Sequence, residues 1–143
     1  MGAERAGAPG PTVPSGAEGV TTRRSPRSVA ETVARVEELA GAKGLKVFIV
    51  IDHSGEAVAA GLALRDTKLV VLGSPAAGTP VMEAAPLAAL DLPLKVLVWE
   101  EGPGAVWVSI NDPGWLARRH GLGPELAARL AGLTGLVEAV VAP

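Results

Sequence analysis

Short runs of apolar, mostly β-branched residues alternate with stretches of helical periodicity through most of this sequence. Two of the runs are LKVFIVI at 45–51 and TKLVVLG at 67–73, and each has the usual length of a strand. Farther along, LKVLVWEE and AVWVSI flank the sequence GPG, which predicts a hairpin whose turn contains Gly102 and Gly104. Strands that first alternate with helices and then form a hairpin predict one sheet with helices packed mainly on one face, an α+β fold.

The composition of each run predicts its place in the sheet. The runs at 45–51 and 67–73 are apolar at nearly every position, so we expect both to be central strands covered on both faces. The segment GVTTRRS at 19–25 is β-branched but polar, which predicts a first strand at an edge. If the two central strands are parallel neighbours, their carboxyl ends meet at one edge of the sheet, where ligands commonly bind.

Capping residues mark the predicted helix boundaries. Ser28 and Glu31 have the spacing of a capping box at the start of SVAETVARVEELAGAKG. Asp112, followed by Pro113, predicts the start of a short helix in NDPGWLARRHG. The segment GPELAARLAGLTGLVEAVV at 123–141 predicts a final helix, whose glycines weaken its middle.

Length, composition and charge narrow the class of protein. The 143 residues are 48% apolar, which predicts one globular domain at 19–143 behind a disordered tail at 1–18 that is rich in Gly, Ala and Pro. The net charge of −2 provides no basic field for a nucleic acid. Without a signal-peptide core or a bilayer-length apolar run, we expect a cytoplasmic protein with no membrane partner. The absence of cysteine excludes disulfides and thiolate chemistry.

Asp52 and His53 stand where the run at 45–51 gives way to a short helical pattern. A histidine at a strand end can act as a general base oriented by the aspartate, or as a metal or haem ligand. Alternatively, Asp52 only caps the helix that follows and His53 only hydrogen-bonds a nearby carbonyl. The sequence leaves both interpretations open.

The small-residue segment LGSPAAGTP at 72–80 is the second candidate for a site. Gly73, Ser74, Gly78 and Thr79 would allow backbone amides to approach an anion. With parallel strands, His53 would point into a cavity shared with this segment, and a small ligand or a cofactor such as haem would bind there. The segment lacks the Lys-Ser/Thr ending of a phosphate loop, and the alternative is a turn with Thr79 as helix cap.

A metal site is a weaker candidate. His120 follows Arg118 and Arg119 at the end of a predicted helix, where cations interact favourably with the helix dipole. By residue type alone, His53 and His120 together with Asp52 could ligate a metal ion. The two histidines lie far apart in the chain and form no ligand motif.

The segments LKVFIVIDH, VVLGSPAAGTPVMEAAPLAALDLPLKVLVWE and VWVSINDPGWLARRHG together resemble the bacterial and archaeal domain of unknown function family 302. The resemblance covers residues 19–122. It implies an α+β fold of the TATA-binding-protein-like type and a homodimer, and it does not imply DNA binding. The recurring polar features of the family fall here on Asp52, His53, Gly73, Pro75, Gly78, Thr79, Leu92 and Pro93.

Two residues depart from the family pattern, because Ser74 and Ile110 stand where relatives often have Asn and Tyr. The hypothesis from the sequence is therefore a small homodimer that binds a ligand or cofactor near His53. The alternatives are an enzyme that uses His53 as a general base, and a structural module that binds a protein partner. The reaction and the ligand are not specified by the sequence.

Overall fold

The structure is a computed structural model that describes residues 13–14 and 16–143. Most of the predicted disordered tail at 1–18 therefore lies outside the described residues. The helices of the described part are α1 (Val29–Ala42), α2 (His53–Ala59), α3 (Pro75–Ala84), α4 (Pro113–Arg119), α5 (Pro124–Ala127) and α6 (Gly132–Val141), with a 3-10 helix at Pro86–Asp91. The strands are β1 (Val20–Ser25), β2 (Lys46–Asp52), β3 (Thr67–Gly73), β4 (Leu94–Gly102) and β5 (Ala105–Asn111).

The five strands form one sheet in the order β1-β5-β4-β3-β2, and every neighbouring pair is antiparallel. The expected parallel pairing of the runs 45–51 and 67–73 is wrong. Asp52 pairs with Lys68 and Lys46 pairs with Gly73, so the start of β2 lies beside the end of β3. The connection between the two strands carries only the short α2, and the chain folds back instead of crossing over the sheet as a parallel pair requires.

Of the three strands whose place in the sheet was predicted, two lie where the sequence predicts. β1 lies at one edge and β3 lies inside the sheet, as predicted, whereas β2 forms the other edge. A β-bulge between Val47 and Ile49 leaves Phe48 without a partner in the ladder. Phe48 is 43% and Ile49 54% exposed, because the apolar run is covered on one face only.

The main core lies between one face of the sheet and the helices α1 and α6. It includes Val36 and Leu136 from the helices and Val70, Val96 and Val108 from the strands, all of them fully buried. A second cluster around Val81, Ala88, Leu116 and Leu130 joins it through Leu94. The predicted α+β fold with one sheet is therefore confirmed, while the TATA-binding-protein-like type remains an implication of the resemblance.

The predicted capping box and the predicted cap at Asp112 are both present. The Ser28 hydroxyl accepts from the Glu31 amide at 3.1 Å, and the Glu31 carboxylate accepts from the Ser28 amide at 3.1 Å. Asp112 accepts from the Trp115 amide at 2.9 Å. The predicted final helix is instead interrupted between α5 and α6, at residues 128–131, and the glycines expected to weaken its middle, Gly132 and Gly135, lie inside α6.

The carboxyl end of α6 is held by two arginines. Arg27 donates to the carbonyls of Val140 and Ala142, each at 2.9 Å, and Arg35 donates to the carbonyl of Ala139 at 3.0 Å. The last carbonyls of a helix have no partner within the helix itself. These bonds therefore satisfy the end of α6 and fix it against α1.

Candidate functional site

A cavity of about 360 Å³ opens where β3 runs into α3. Its walls come from four parts of the chain: the α1–β2 connection with the bulge of β2, the junction of β3 and α3, the start of β4, and the α5–α6 connection. The residues that line it are Lys43, Leu45, Phe48, Leu72, Gly73, Ser74, Pro75, Ala77, Gly78, Met82, Leu92, Pro93, Leu94, Arg129, Leu130, Gly132 and Leu133.

The cavity has an apolar floor and a more polar mouth. Leu72, Leu130 and Leu133 are buried and belong to the apolar clusters of the protein. Lys43 and Arg129 are exposed. A volume of this size with a mainly apolar lining is typical of small-molecule sites.

Small residues at the start of α3 keep one wall of the cavity open. A Cβ atom added at Gly78 would lie 3.9 Å from Leu92 Cδ1 and 3.9 Å from Met82 Cε. Both of those side chains line the cavity, so a longer side chain at position 78 would extend into it. Glycine at this position therefore provides room rather than a special backbone conformation.

The predicted anion-binding amides of the 72–80 segment are already hydrogen-bonded. The amides of Ala77 and Gly78 donate to the Ser74 carbonyl at 3.0 and 2.8 Å, and the Ser74 hydroxyl accepts from the Ala77 amide at 3.3 Å. Ser74, not Thr79, caps the helix, so the predicted cap at Thr79 is wrong. Gly73, Ser74 and Gly78 line the cavity, whereas Thr79 does not.

Charge at the mouth of the cavity is positive. Lys43 and Arg129 are the charged residues of the lining, and no acidic residue is among the lining residues of the described chain. The Lys46 ammonium adds a further positive charge nearby, 5.0 Å from the centroid of the Phe48 ring. A chain of net charge −2 thus carries a locally electropositive cavity.

Asp52 and His53 lie at the opposite end of β2 from the cavity. The expectation that His53 shares a cavity with the 72–80 segment is wrong, because the antiparallel register separates the two chain ends. His53 is exposed, and its side chain makes no hydrogen bond with residues 13–14 or 16–143. The structure therefore gives no partner group for His53 within the described chain.

Asp52 is the N-cap of α2, as the alternative interpretation predicted. Its Oδ1 accepts from the Ser54 hydroxyl at 2.7 Å and from the Gly55 amide at 2.9 Å. These hydrogen bonds lower the pKa of the Asp52 carboxyl, and the charge of Lys68 lowers it further. A carboxylate used in this way does not orient His53 as a general base.

A polar network around Ser54 fastens α2 to β3. The Ser54 hydroxyl oxygen lies 3.2 Å from Asp66 Oδ1 and accepts from the Thr67 amide at 3.1 Å. The ammonium of Lys68 lies 2.7 Å from Asp66 Oδ1, and this hydrogen bond raises the pKa of Lys68. This network was not predictable from the sequence, since Ser54 and Asp66 are separated by a helix and a loop.

His120 belongs to a hydrogen-bonded cluster around Asp91. Its Nε2 lies 2.6 Å from Asp91 Oδ2, and Arg119 donates to the same oxygen at 3.0 Å. This cluster joins the end of α4 to the 3-10 helix. No group of three or more potential metal ligands occurs within the described part of the chain, so the structure does not bring His53, His120 and Asp52 together.

Comparison with known proteins adds a family and a fold. The family model described as "Domain of unknown function DUF302" matches residues 21–140. The crystal structure of an uncharacterized conserved DUF302 protein from Bacillus stearothermophilus superposes with a TM-score of 0.73, over 87% of this chain and 97% of that chain. At 21% identity, this second similarity shows the fold alone.

Curated relatives come from Brucella and are longer than this chain. A protein of Brucella suis named fluoride-specific ion channel FluC 1 is 47% identical over 105 residues, which cover 73% of this chain and 41% of the relative. A protein of the same name from Brucella abortus is also 47% identical over 105 residues, which cover 39% of its length. The chain thus spans about two fifths of these relatives. Among the helices of the described residues, none is long and apolar enough to cross a membrane.

Proposed function

Because this chain belongs to the DUF302 family, whose description names no activity, we propose its function from the geometry of the cavity: it binds a small, largely apolar molecule there. The observation that supports this proposal is a cavity of about 360 Å³ whose floor is formed by Leu72, Leu130 and Leu133. Protein interiors are close-packed and contain few voids larger than a water molecule. A cavity of this size, open to solvent and lined by apolar groups, is therefore a candidate ligand site.

The cavity favours a different ligand from the one expected at His53. No histidine is among its lining residues, and Met82 is the one sulfur-containing side chain there. The haem hypothesis depended on His53 as axial ligand, so we do not extend it to this cavity. The hypothesis of an enzyme with His53 as general base also has less support, because Asp52 caps α2 instead of orienting the imidazole.

The name of the Brucella relatives does not define the ligand of this cavity. Those proteins are named as fluoride channels, and the name refers to chains of which this protein spans about two fifths. Fluoride is a small, strongly hydrated anion, whereas the cavity is large and mainly apolar. We therefore propose an organic ligand for the cavity and not fluoride.

Fluorescence of a neutral apolar dye tests ligand binding. Phenylnaphthylamine becomes fluorescent when it leaves water, and we expect it to bind the native protein saturably. Gly78→Leu should abolish the signal, since its side chain would occupy the cavity beside Leu92 and Met82. Gly41→Leu is the matched control, because Gly41 is an exposed helical glycine with nothing within 4 Å of an added Cβ. Equal dye binding by both variants would contradict the proposal.

We further propose that two copies of the chain associate through the face of the sheet that α1 and α6 do not cover. Ile51, Leu69 and Leu97 are direct cross-strand neighbours on that face, and Ile49 lies beside them. None of these four residues belongs to the two apolar clusters, and Ile49 is 54% exposed. A contiguous apolar patch of this kind is characteristic of an interaction surface.

Light scattering tests the dimer. We expect a dimer mass for the native chain at micromolar concentration and a monomer mass for Ile49→Lys. Leu90→Lys is the matched control, since Leu90 is an exposed apolar residue on the 3-10 helix, away from the sheet face. A native monomer at all concentrations, or equal behaviour of the two variants, would rule out this interface.

A further inference from the structure

We infer that the ligand of the cavity carries a negative charge at one end, and that Lys43 and Arg129 bind this end at the mouth. The inference rests on the proposed ligand binding and specifies its chemical class. The class is a carboxylate with a single apolar body, as in a fatty acid of medium length. Two observations support it: the charge of the lining and the separation of the lining into a polar mouth and an apolar floor.

Unlike Arg27 and Arg35, the two mouth cations have no hydrogen bond shorter than 3.5 Å to a backbone carbonyl of the described chain. Arg27 and Arg35 each donate to backbone carbonyls at 2.9–3.0 Å. Arg129 reaches only the Ala76 carbonyl, at 3.5 Å, and Lys43 has no ion-pair or hydrogen-bond acceptor among residues 13–14 and 16–143. Neither is paired with a carboxylate of the described chain, so each can bind an anionic group.

The mouth cations come from two different connections of the chain. A Cβ atom at Gly135 would lie 3.8 Å from the Lys43 Nζ, which places the ammonium against the first turns of this helix. Arg129 precedes the same helix in the chain, and Gly132 at its first position lines the cavity. An anionic group at the mouth would therefore meet one cation from the α1–β2 connection and one from the α5–α6 connection.

The floor of the cavity selects the other end of the ligand. Leu72, Leu130 and Leu133 provide only apolar surface there. Phe48 also lines the cavity, and Met82 is a flexible side chain that adapts to irregular apolar shapes. A ligand charged at both ends would leave a charge against this floor without a partner, which is strongly unfavourable.

Ligands that differ only in the head group test the charge. Decanoate is ionised at neutral pH, whereas decanol has the same chain length and no charge. Both should displace phenylnaphthylamine from the native protein, and decanoate should do so at about tenfold lower concentration, because two exposed ion pairs give a modest gain. Added salt should reduce this preference, since the cations are exposed to solvent.

The double variant Lys43→Met/Arg129→Met should bind decanoate about tenfold more weakly and keep its affinity for decanol and for the dye. The matched control is Arg65→Met/Arg118→Met. It removes the same charge from exposed positions outside the cavity lining and should retain the preference for decanoate.

The possible results separate this inference from the proposal on which it rests. If the native protein binds both ligands equally, or if the two double variants behave alike, the charged head group is refuted while ligand binding stands. If the native protein binds neither the dye nor either ligand, the proposed function fails and the inference fails with it. The comparison on the native protein, with its salt dependence, decides the question even if a variant does not fold.

Discussion

Replacement of Gly78 by alanine should raise the stability of the protein and weaken its ligand binding at the same time. Gly78 lies inside α3, where glycine is less favourable than alanine by about 0.5–1 kcal/mol. The added Cβ would lie 3.9 Å from both Leu92 Cδ1 and Met82 Cε, which is ordinary van der Waals contact and adds no steric cost. The same methyl group would occupy part of the cavity.

The expected gain in the free energy of unfolding is therefore about 0.5–1 kcal/mol, equivalent to a rise of roughly 2–4 °C in the melting temperature. Thermal unfolding measures this gain, and titration with phenylnaphthylamine measures the affinity. Gly41→Ala is the control, because Gly41 is helical, has nothing within 4 Å of an added Cβ and does not line the cavity.

The control should show a similar gain in stability with unchanged dye affinity. The reasoning is refuted if Gly78→Ala binds the dye as tightly as the native protein, since the ligand then lies elsewhere. A loss of stability in Gly78→Ala would show instead that the wall is already filled and that the cavity is not open as described.

Three further predictions concern other parts of the chain. Arg27→Leu should lower the free energy of unfolding in urea by about 1–3 kcal/mol, because two carbonyls at the end of α6 lose a charged donor. An unchanged urea midpoint would mean that water replaces the arginine as donor. His53→Ala should leave dye affinity unchanged, since His53 lies at the other end of β2 from the cavity. A loss of affinity would show that the dye binds near this histidine instead. Asp52→Asn should make stability less dependent on pH in acid: the lowered pKa of Asp52 stabilises the fold above the ordinary carboxyl pKa, and this contribution is lost as the pH falls through the lowered value. Parallel pH profiles of the unfolding midpoint for native protein and variant would contradict that role.

Local elements were predictable because their determinants are close in the sequence. Ser28 with Glu31, and Asp112 with Pro113, place helix starts through contacts within one turn. The hairpin of β4 and β5 follows from two apolar runs around a short turn. In these cases the residues that determine the structure are also neighbours along the chain.

Strand pairing and edge position were not predictable in the same way. An apolar run such as 45–51 has the composition of a central strand, and nothing within it shows that one face remains uncovered. The orientation of β2 against β3 depends on how their connection travels in space, which local periodicity does not specify. The wrong prediction that His53 shares a cavity with the 72–80 segment follows from the assumed parallel pairing, since parallel strands would have placed His53 beside Gly73.

The cavity could be predicted only in part. The small residues Gly73, Ser74 and Gly78 were recognisable as one wall because their segment lies where a strand leads into helical turns. Lys43 and Arg129 come from distant segments and look like ordinary surface cations in the sequence. Lys43 and Arg129 line the same cavity only because α1, β2 and α6 pack together in the fold.

The bulge in β2 protects the sheet from unwanted strand addition. An edge strand exposes a row of unpaired amides and carbonyls that a strand from another chain can extend into an aggregate. The unpaired Phe48 interrupts the regular spacing of that row, and Phe48 also lines the cavity. Deletion of this one residue should restore a continuous edge and remove the ring from the cavity, so that one irregularity affects both the protection of the edge and the proposed ligand site.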